Sequence, residues 1–224
     1  MRAMGDNMTQ TLPQRLYLLC YTVDQGKFQL DNLQGRGQLL RAGALTELAR
    51  DGLLSATGGK VVRKPGRAPD DSFAAAVWGD LPDSKPKGWL QFVHNKAHTA
   101  ETPVRDQLSA AGEVAVSRGK VMGLIPTHRV TVAHPEEVRA LQERVRDTVL
   151  SGADPASIPL EELAIAVFAA EVEVTCVWSR GDLRTHKQAL KALAARFDEI
   201  IPGLRKALRD SYLSSRAVGG GWSA

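Results

Sequence analysis

The chain has 224 residues, with 29 Lys and Arg against 25 Asp and Glu, so its formal net charge is +4. A hydrophobic content of 43% and a charged content of 24% are ordinary globular values and exclude a disordered chain. Two cysteines are too few for a disulfide framework, and no stretch is long and apolar enough to span a membrane. We therefore expect a protein of the reducing cytoplasm.

Helical patterns dominate the chain, and proline, glycine and capping residues set the expected ends of the helices. The helix at 160–178 is apolar nearly all round and is expected to be the central helix of a bundle. In chain order, the sequence predicts a helix at 11–20, a strand at 27–30, a helix at 38–50, a hairpin turning at 58–59, a helix from 71 or 72, a helix at 103–118, a ribbon with strands at 121–125 and 129–132, and helices from 135, 160, 182 and 202.

These elements predict a mainly α fold, in which a helical bundle core is wrapped by amphipathic helices and small β-hairpins. We expect one domain at 11–216, with a flexible tail at 1–10 and a flexible Gly-rich tail at 217–224. The order of helix, glycine and hairpin near residue 50 is repeated near residue 113, which duplication and chance explain equally well.

The positive charge is unevenly distributed along the chain. Residues 1–70 carry 10 Lys and Arg against 6 Asp and Glu, and the remaining residues carry 19 of each sign. The whole excess therefore lies in the first third, which favours an anionic partner such as a lipid headgroup or nucleic acid. An ordinary solvated surface explains the excess equally well.

Patterns typical of enzymes are scarce. His94 and His98 are four positions apart and could bind a metal from one helix face, but the segment has no third ligand, so exposed polar residues are the better interpretation. Neither a Gly-x-Ser-x-Gly nor a Cys-x-x-Cys motif is present. We therefore expect no catalytic residue, no metal and no cofactor.

The segment from Gly35 to Arg41 is the best candidate for an anion site. Gly35 and Gly37 would let the backbone approach a ligand, and the first free amides of the helix from 38 would point at it. Arg36 and Arg41 add guanidinium groups suited to phosphate. Leu40 stands where a dinucleotide fingerprint would need its third glycine, and a simple loop-to-helix turn is the alternative interpretation.

A second basic cluster, here called the basic ribbon, follows the predicted hairpin turn. It could contact the phosphates of a membrane or of DNA, and the helix at 38–50 followed by this ribbon resembles a helix-and-wing arrangement. Glu47 and Asp51 on that helix disfavour DNA, and a solvated ribbon is the other alternative. The residues of the basic ribbon are Lys60, Arg63, Lys64 and Arg67.

Several weak motifs occur in a distinctive order between residues 11 and 180. The most specific is Leu-Arg-x-x-x-Leu-x-Glu-Leu, which begins at Leu40. The others lie at residues 12–19, 68–71, 88–90, 104–121, 143–150 and 163–174. Taken together, they resemble the Golgi phosphoprotein-3 family, in the form of its bacterial branch.

The resemblance implies a four-helix core wrapped by amphipathic helices with small hairpins. Family members of known role bind phosphatidylinositol 4-phosphate through a Trp and basic residues, and hold the cytoplasmic tails of glycosyltransferases. Of that lipid site, one Arg falls on Arg41 and another on Arg105, whose partner position reads Leu108. The Trp position falls near Asp31 or Asn32, where no aromatic stands. The family's hydrophobic hairpin is short here, at 179–181, which argues against oligomerisation through it.

We therefore predict a non-enzymatic, adaptor-like domain, cytoplasmic or peripheral at the membrane. Arg41, Arg105 and Arg36 are expected to converge on one phosphorylated lipid headgroup, with the basic ribbon as a secondary patch. Cytoplasmic tails of membrane proteins are further expected partners. The alternative is a DNA-binding regulator with a helix-and-wing surface, although nucleic acid is the less favoured ligand. The sequence does not indicate an oligomeric state.

Overall fold

The computed structural model describes residues 10–28, 33–121 and 125–219, and they form a mainly α fold, as the sequence predicts. The helices are α1 (Leu12–Leu19), α2 (Leu33–Arg50), α3 (Ser72–Asp80), α4 (Leu90–His94), α5 (Glu101–Ala110), α6 (Pro135–Leu150), α7 (Leu160–Glu171), α8 (Arg180–Thr185), α9 (Lys187–Ile200) and α10 (Leu204–Gly219). The strands are β1 (Tyr21–Thr22), β2 (Lys27–Phe28), β3 (Leu54–Thr57), β4 (Lys60–Arg63), β5 (Lys87–Gly88), β6 (Val114–Val121) and β7 (Ile125–Val132).

All the described strands pair in small antiparallel sheets. β1 pairs with β2, β6 pairs with β7, and β4 lies between β3 and β5 in a three-stranded sheet. In that sheet Thr57 lies opposite Lys60, on either side of the predicted turn at 58–59. The hairpin expected to turn at 58–59 is therefore present, whereas the ribbon expected with strands at 121–125 and 129–132 has its strands at Val114–Val121 and Ile125–Val132.

Helix α2 is the central helix, and it is buried on every side from Gly35 to Leu48. It packs against α1, α3, α7 and α10. The predicted start at Gln38 is wrong because the helix already includes residues 35–37. The polar residues before Gln38 resemble a loop in sequence, but in the fold the side chain of Arg36 pairs with Glu101 inside the protein.

The helix predicted at 160–178, which was expected to be the central helix, is shorter than expected. α7 ends at Glu171 and is buried at 163–169.

The segment after α5 is a strand rather than the predicted continuation of a helix to 118. Gly112 adopts a φ of 78° and ends the helix, because left-handed backbone suits glycine. The amide of Glu113 then donates to the carbonyl of Leu108. Gly52 ends α2 in the same way, with a φ of 70° and a bond from Leu53 to Leu48. The repeated order of helix, glycine and hairpin therefore reflects the same helix C-cap at both places.

The chain ends differ from the expected tails in one respect: α10 continues to Gly219, so residues 217–219 are helical. Residues 1–9 and 220–224 of the expected tails lie outside the described residues, as do 29–30 of the expected strand at 27–30.

The helix expected from 182 begins earlier, because Ser179 caps α8 and Asp182 is the third residue of that helix. In the described ranges, no helix combines the length and hydropathy that crossing a membrane requires.

Candidate functional site

Arg41 lies on the side of α2 that faces α3 and α4. Its Nη2 is 2.9 Å from Asp80 Oδ2, and its Nε donates to the carbonyl of Phe92 over 2.5 Å. Lys96 Nζ contacts the other oxygen of Asp80 at 2.6 Å. Burial raises the pKa of Asp80, but the hydrogen bonds from Lys96 and Arg41 outweigh it and hold the pKa below its ordinary value. Arg41 is only 4% exposed, so it serves as a buried link between three helices.

Arg36 lies on a different side of the same helix, because five residues correspond to a rotation of about 140°. Its Nε and Nη2 donate to Glu101 Oε2 at 2.8 and 2.7 Å. The guanidinium carbon is 4.7 Å from the ring centroid of Phe28 and 5.8 Å from that of Tyr17. Its third nitrogen, Nη1, is buried and has no hydrogen-bond partner.

Arg105 lies on α5 one turn after Glu101, the partner of Arg36, and so on the same face of that helix. Burial raises the pKa of Tyr17 to about 12, and the positive charges of Arg36 and Arg105 both act to lower it. The side chain of Arg105 is 19% exposed, and its Nη2 is 3.2 Å from the carboxylate of its neighbour Asp106. We call Arg36 and Arg105, beside Tyr17, the arginine pair.

The prediction that three arginines converge on one phosphate is wrong. Arg36 and Arg41 bond to partners on different sides of α2, and each is bonded to a carboxylate. The free amides expected at a helix start at residue 38 are not found there, because α2 begins five residues earlier, at Leu33. Gly37 does allow a close backbone approach, but to the carbonyl of Ala97, which a Cβ on Gly37 would meet at 2.0 Å.

The basic ribbon is only partly available to a ligand. Arg63 lies over the ring of Trp78, with its guanidinium carbon 4.8 Å from the centroid, because alternation along β4 puts it on the same side as the buried Val61. Arg67 pairs with Asp70 at 2.7 Å. The two lysines of the ribbon, Lys60 and Lys64, are exposed.

The DNA-binding alternative is not supported. A recognition helix must present a face that enters the major groove, and α2 has none between Gly35 and Leu48. Glu47, which seemed to disfavour DNA by its charge, is itself buried and accepts a hydrogen bond from the amide of Leu12 at 2.6 Å.

His94 bonds through Nδ1 to Ser211 Oγ at 2.9 Å. Within the ranges that the structure describes, no cluster of three or more His, Cys, Asp or Glu could hold a metal ion.

Tyr17, Phe28 and Glu101 surround Arg36 and are not predicted from the sequence. Glu101 lies 65 positions from Arg36, and nothing in the local pattern of either segment connects the two. Tyr17 carried a weak signal, because the chain has only 3 tyrosines and this one lies in an apolar helix. A phenol that is buried next to charged groups is unusual enough to mark a site.

Comparison with known proteins agrees with this architecture. The family described as Golgi phosphoprotein 3 (GPP34) matches residues 12–211 of the chain. The match spans the helices from α1 to the middle of α10, and so it includes both members of the arginine pair. No curated protein matches the chain. Because the match covers most of its length, the chain belongs to the Golgi phosphoprotein 3 family.

Proposed function

We propose that this chain is a non-enzymatic, adaptor-like domain that associates with the membrane surface and binds a phosphorylated lipid headgroup at the arginine pair. The single observation that carries the proposal is Arg36 Nη1, a buried donor without a partner, on a guanidinium that is bonded to Glu101 one turn of α5 before Arg105. Family membership supports the type of domain. The headgroup we propose is that of phosphatidylinositol 4-phosphate, and the proposed cargo is the cytoplasmic tails of membrane proteins.

The bonds around Arg36 leave one edge of the guanidinium for a ligand. Glu101 takes Nε and Nη2, and Nη1 is buried, so a phosphate oxygen bonds to Nη1 only once the side chains that cover it have moved. The rings of Tyr17 and Phe28 lie near the guanidinium and hold it in place by cation–π contact. A buried donor without a partner is costly, and a phosphate oxygen would satisfy it.

Arg105 is the more accessible member of the pair. Its present partner is the adjacent Asp106, whose side chain is 62% exposed. Exposed ion pairs of this kind are worth about 1 kcal/mol or less, so a doubly charged phosphate can replace Asp106. Lys60 and Lys64 of the basic ribbon would add about 1 kcal/mol each near an anionic bilayer, without selecting a headgroup.

The test is co-sedimentation of the full chain with vesicles of phosphatidylcholine, with and without phosphatidylinositol 4-phosphate. Arg105→Ala should reduce the phosphoinositide-dependent fraction at least several-fold. Arg144→Ala, which removes the same charge from an exposed position on α6 without a described ion pair, should not. Equal pelleting of both variants, or no effect of the phosphoinositide on the unmodified chain, would refute the proposal.

A further inference from the structure

A groove of about 460 Å³ lies between α7, α9 and α10, on residues that the proposed headgroup site does not use. This volume is within the usual range for small-molecule sites. α9 and α10 form its two walls, and α7 contributes to its floor. The apolar side chains along it are Val167, Ala170, Leu183, Leu190, Ala194 and Leu213.

The carboxylates that line the groove are already neutralised by arginines. Arg205 contacts Glu171 Oε1 and Asp198 Oδ2, each at 2.6 Å. Glu173 pairs with Arg216 at 2.9 Å. These pairs leave little negative charge along most of the groove. Asp198 Oδ1 is buried and has no hydrogen-bond partner, but Oδ2 of the same carboxylate is bonded to Arg205.

The cations at the other end of the groove are free. Lys187 and Lys191 are exposed, lie one turn apart on α9, and have no ion-pair partner among the described residues. Lys187 and Asp198 are eleven positions apart, which is about 16 Å along a helix. A negatively charged headgroup is therefore attracted to the lysine end, whereas the cations at the Asp198 end, Arg205 and Arg209, are already shared with carboxylates.

The walls of the groove also restrict the kind of ligand. They are helices, whose backbone groups are bonded within each helix, so no strand edge is available to pair with an extended peptide. An aliphatic chain needs no hydrogen bonds and gains free energy simply by covering the apolar floor. We propose that this groove binds a single-chain anionic amphiphile of the fatty-acid type, with its carboxylate at Lys187 and Lys191 and its chain on the floor.

The test is titration calorimetry of the full chain with dodecanoate, below the concentration at which it forms micelles. Dodecanoate should bind, while dodecyltrimethylammonium, which has the same chain and the opposite charge, should not. The double variant Lys187→Glu, Lys191→Glu should weaken dodecanoate binding about tenfold or more, because it reverses two exposed charges beside the carboxylate. The control double variant Lys85→Glu, Lys87→Glu makes the same charge change at exposed positions before α4 and should bind dodecanoate normally.

Ala194→Phe provides a second and independent variant, because it fills the groove from the α9 wall without changing any charge. It should abolish dodecanoate binding while the circular dichroism spectrum stays helical. Equal binding of the two amphiphiles, or unchanged affinity in the lysine variant, would overturn the proposal. So would binding of an amphipathic Leu- and Lys-rich peptide with no binding of dodecanoate. None of these results depends on whether the arginine pair binds a headgroup.

Discussion

Replacing Gly37 with alanine tests how closely α2 is packed. A Cβ at this position would lie 2.0 Å from the carbonyl oxygen of Ala97 and 2.7 Å from its carbonyl carbon. Real contacts of this kind are essentially never below 3.0 Å, so the two backbones must separate by about 1 Å. α2 is buried on every side at this point, and it cannot move by that amount without disturbing its other contacts.

The expected loss of stability follows from three contributions. Overpacking of this severity costs about 3 kcal/mol. Displacing the carbonyl of Ala97 also weakens its bond from the amide of Ala100, which is 3.1 Å long and worth about 1 kcal/mol. Alanine returns about 1 kcal/mol through its higher helix propensity. We therefore expect Gly37→Ala to lower the free energy of unfolding by about 3 kcal/mol.

Urea unfolding followed by circular dichroism measures this change, and Gly79→Ala is the matched control. Gly79 is also helical, in the last turn of α3, but a Cβ there would meet nothing within 4 Å. The control should therefore keep or raise the stability, by up to about 1 kcal/mol. If Gly37→Ala were as stable as Gly79→Ala, the close approach of α2 to Ala97 would be refuted.

Three further predictions concern buried ionisable groups. Arg41→Ala should lower the free energy of unfolding by about 3 kcal/mol. This loss is near the low end for a broken buried ion pair, because Asp80 keeps its bond to Lys96. A urea midpoint unchanged from that of the unmodified chain would contradict this prediction. Burial raises the pKa of Glu47 above its ordinary 4.5, so the folded state binds the proton more tightly and stability falls as pH rises from 4.5 through the folded pKa. Glu47→Gln should remove this dependence and gain stability relative to the unmodified chain as pH increases. Urea midpoints measured between pH 4 and 8 would show this difference. Burial also raises the pKa of Cys176 to about 12. A thiol reagent at pH 7.5 should therefore label Cys176 much more slowly in the native protein than in urea. Equal labelling rates in the two conditions would argue against its burial.

The fold was largely predictable because its signals are local. Thr11 and Pro13 mark the start of α1, and the structure shows a capping box there. Asp71 likewise caps α3 through its side chain. The error at 114–118 has a local cause as well, since alternating valines after Gly112 are typical of a strand, although the charged residues around them resemble a helix surface.

The site was less predictable because its contacts are not local. Sequence patterns identified Arg36, Arg41 and Arg105, but the direction of Arg36 relative to Arg41 depends on where α2 begins. An assumed start at residue 38 puts Arg36 in a loop, from which it could turn toward Arg41. The observed start fixes the angle between them. Burial was equally hidden, because charged residues are almost never fully buried unless they are paired, and the partners lie far away in the sequence.

The buried polar groups of α2 have a consequence for how the fold selects its arrangement. Arg36 bonds to α5, Gln38 to α10, Arg41 to α3 and α4, and Glu47 to the backbone at the start of α1. Sliding α2 by one residue would rotate it by about 100° and break all of these bonds at once, which leaves several charges stranded in an apolar interior. The hydrophobic residues of the helix would tolerate such a slip far better. The buried polar residues of α2 therefore fix this helix in a single register.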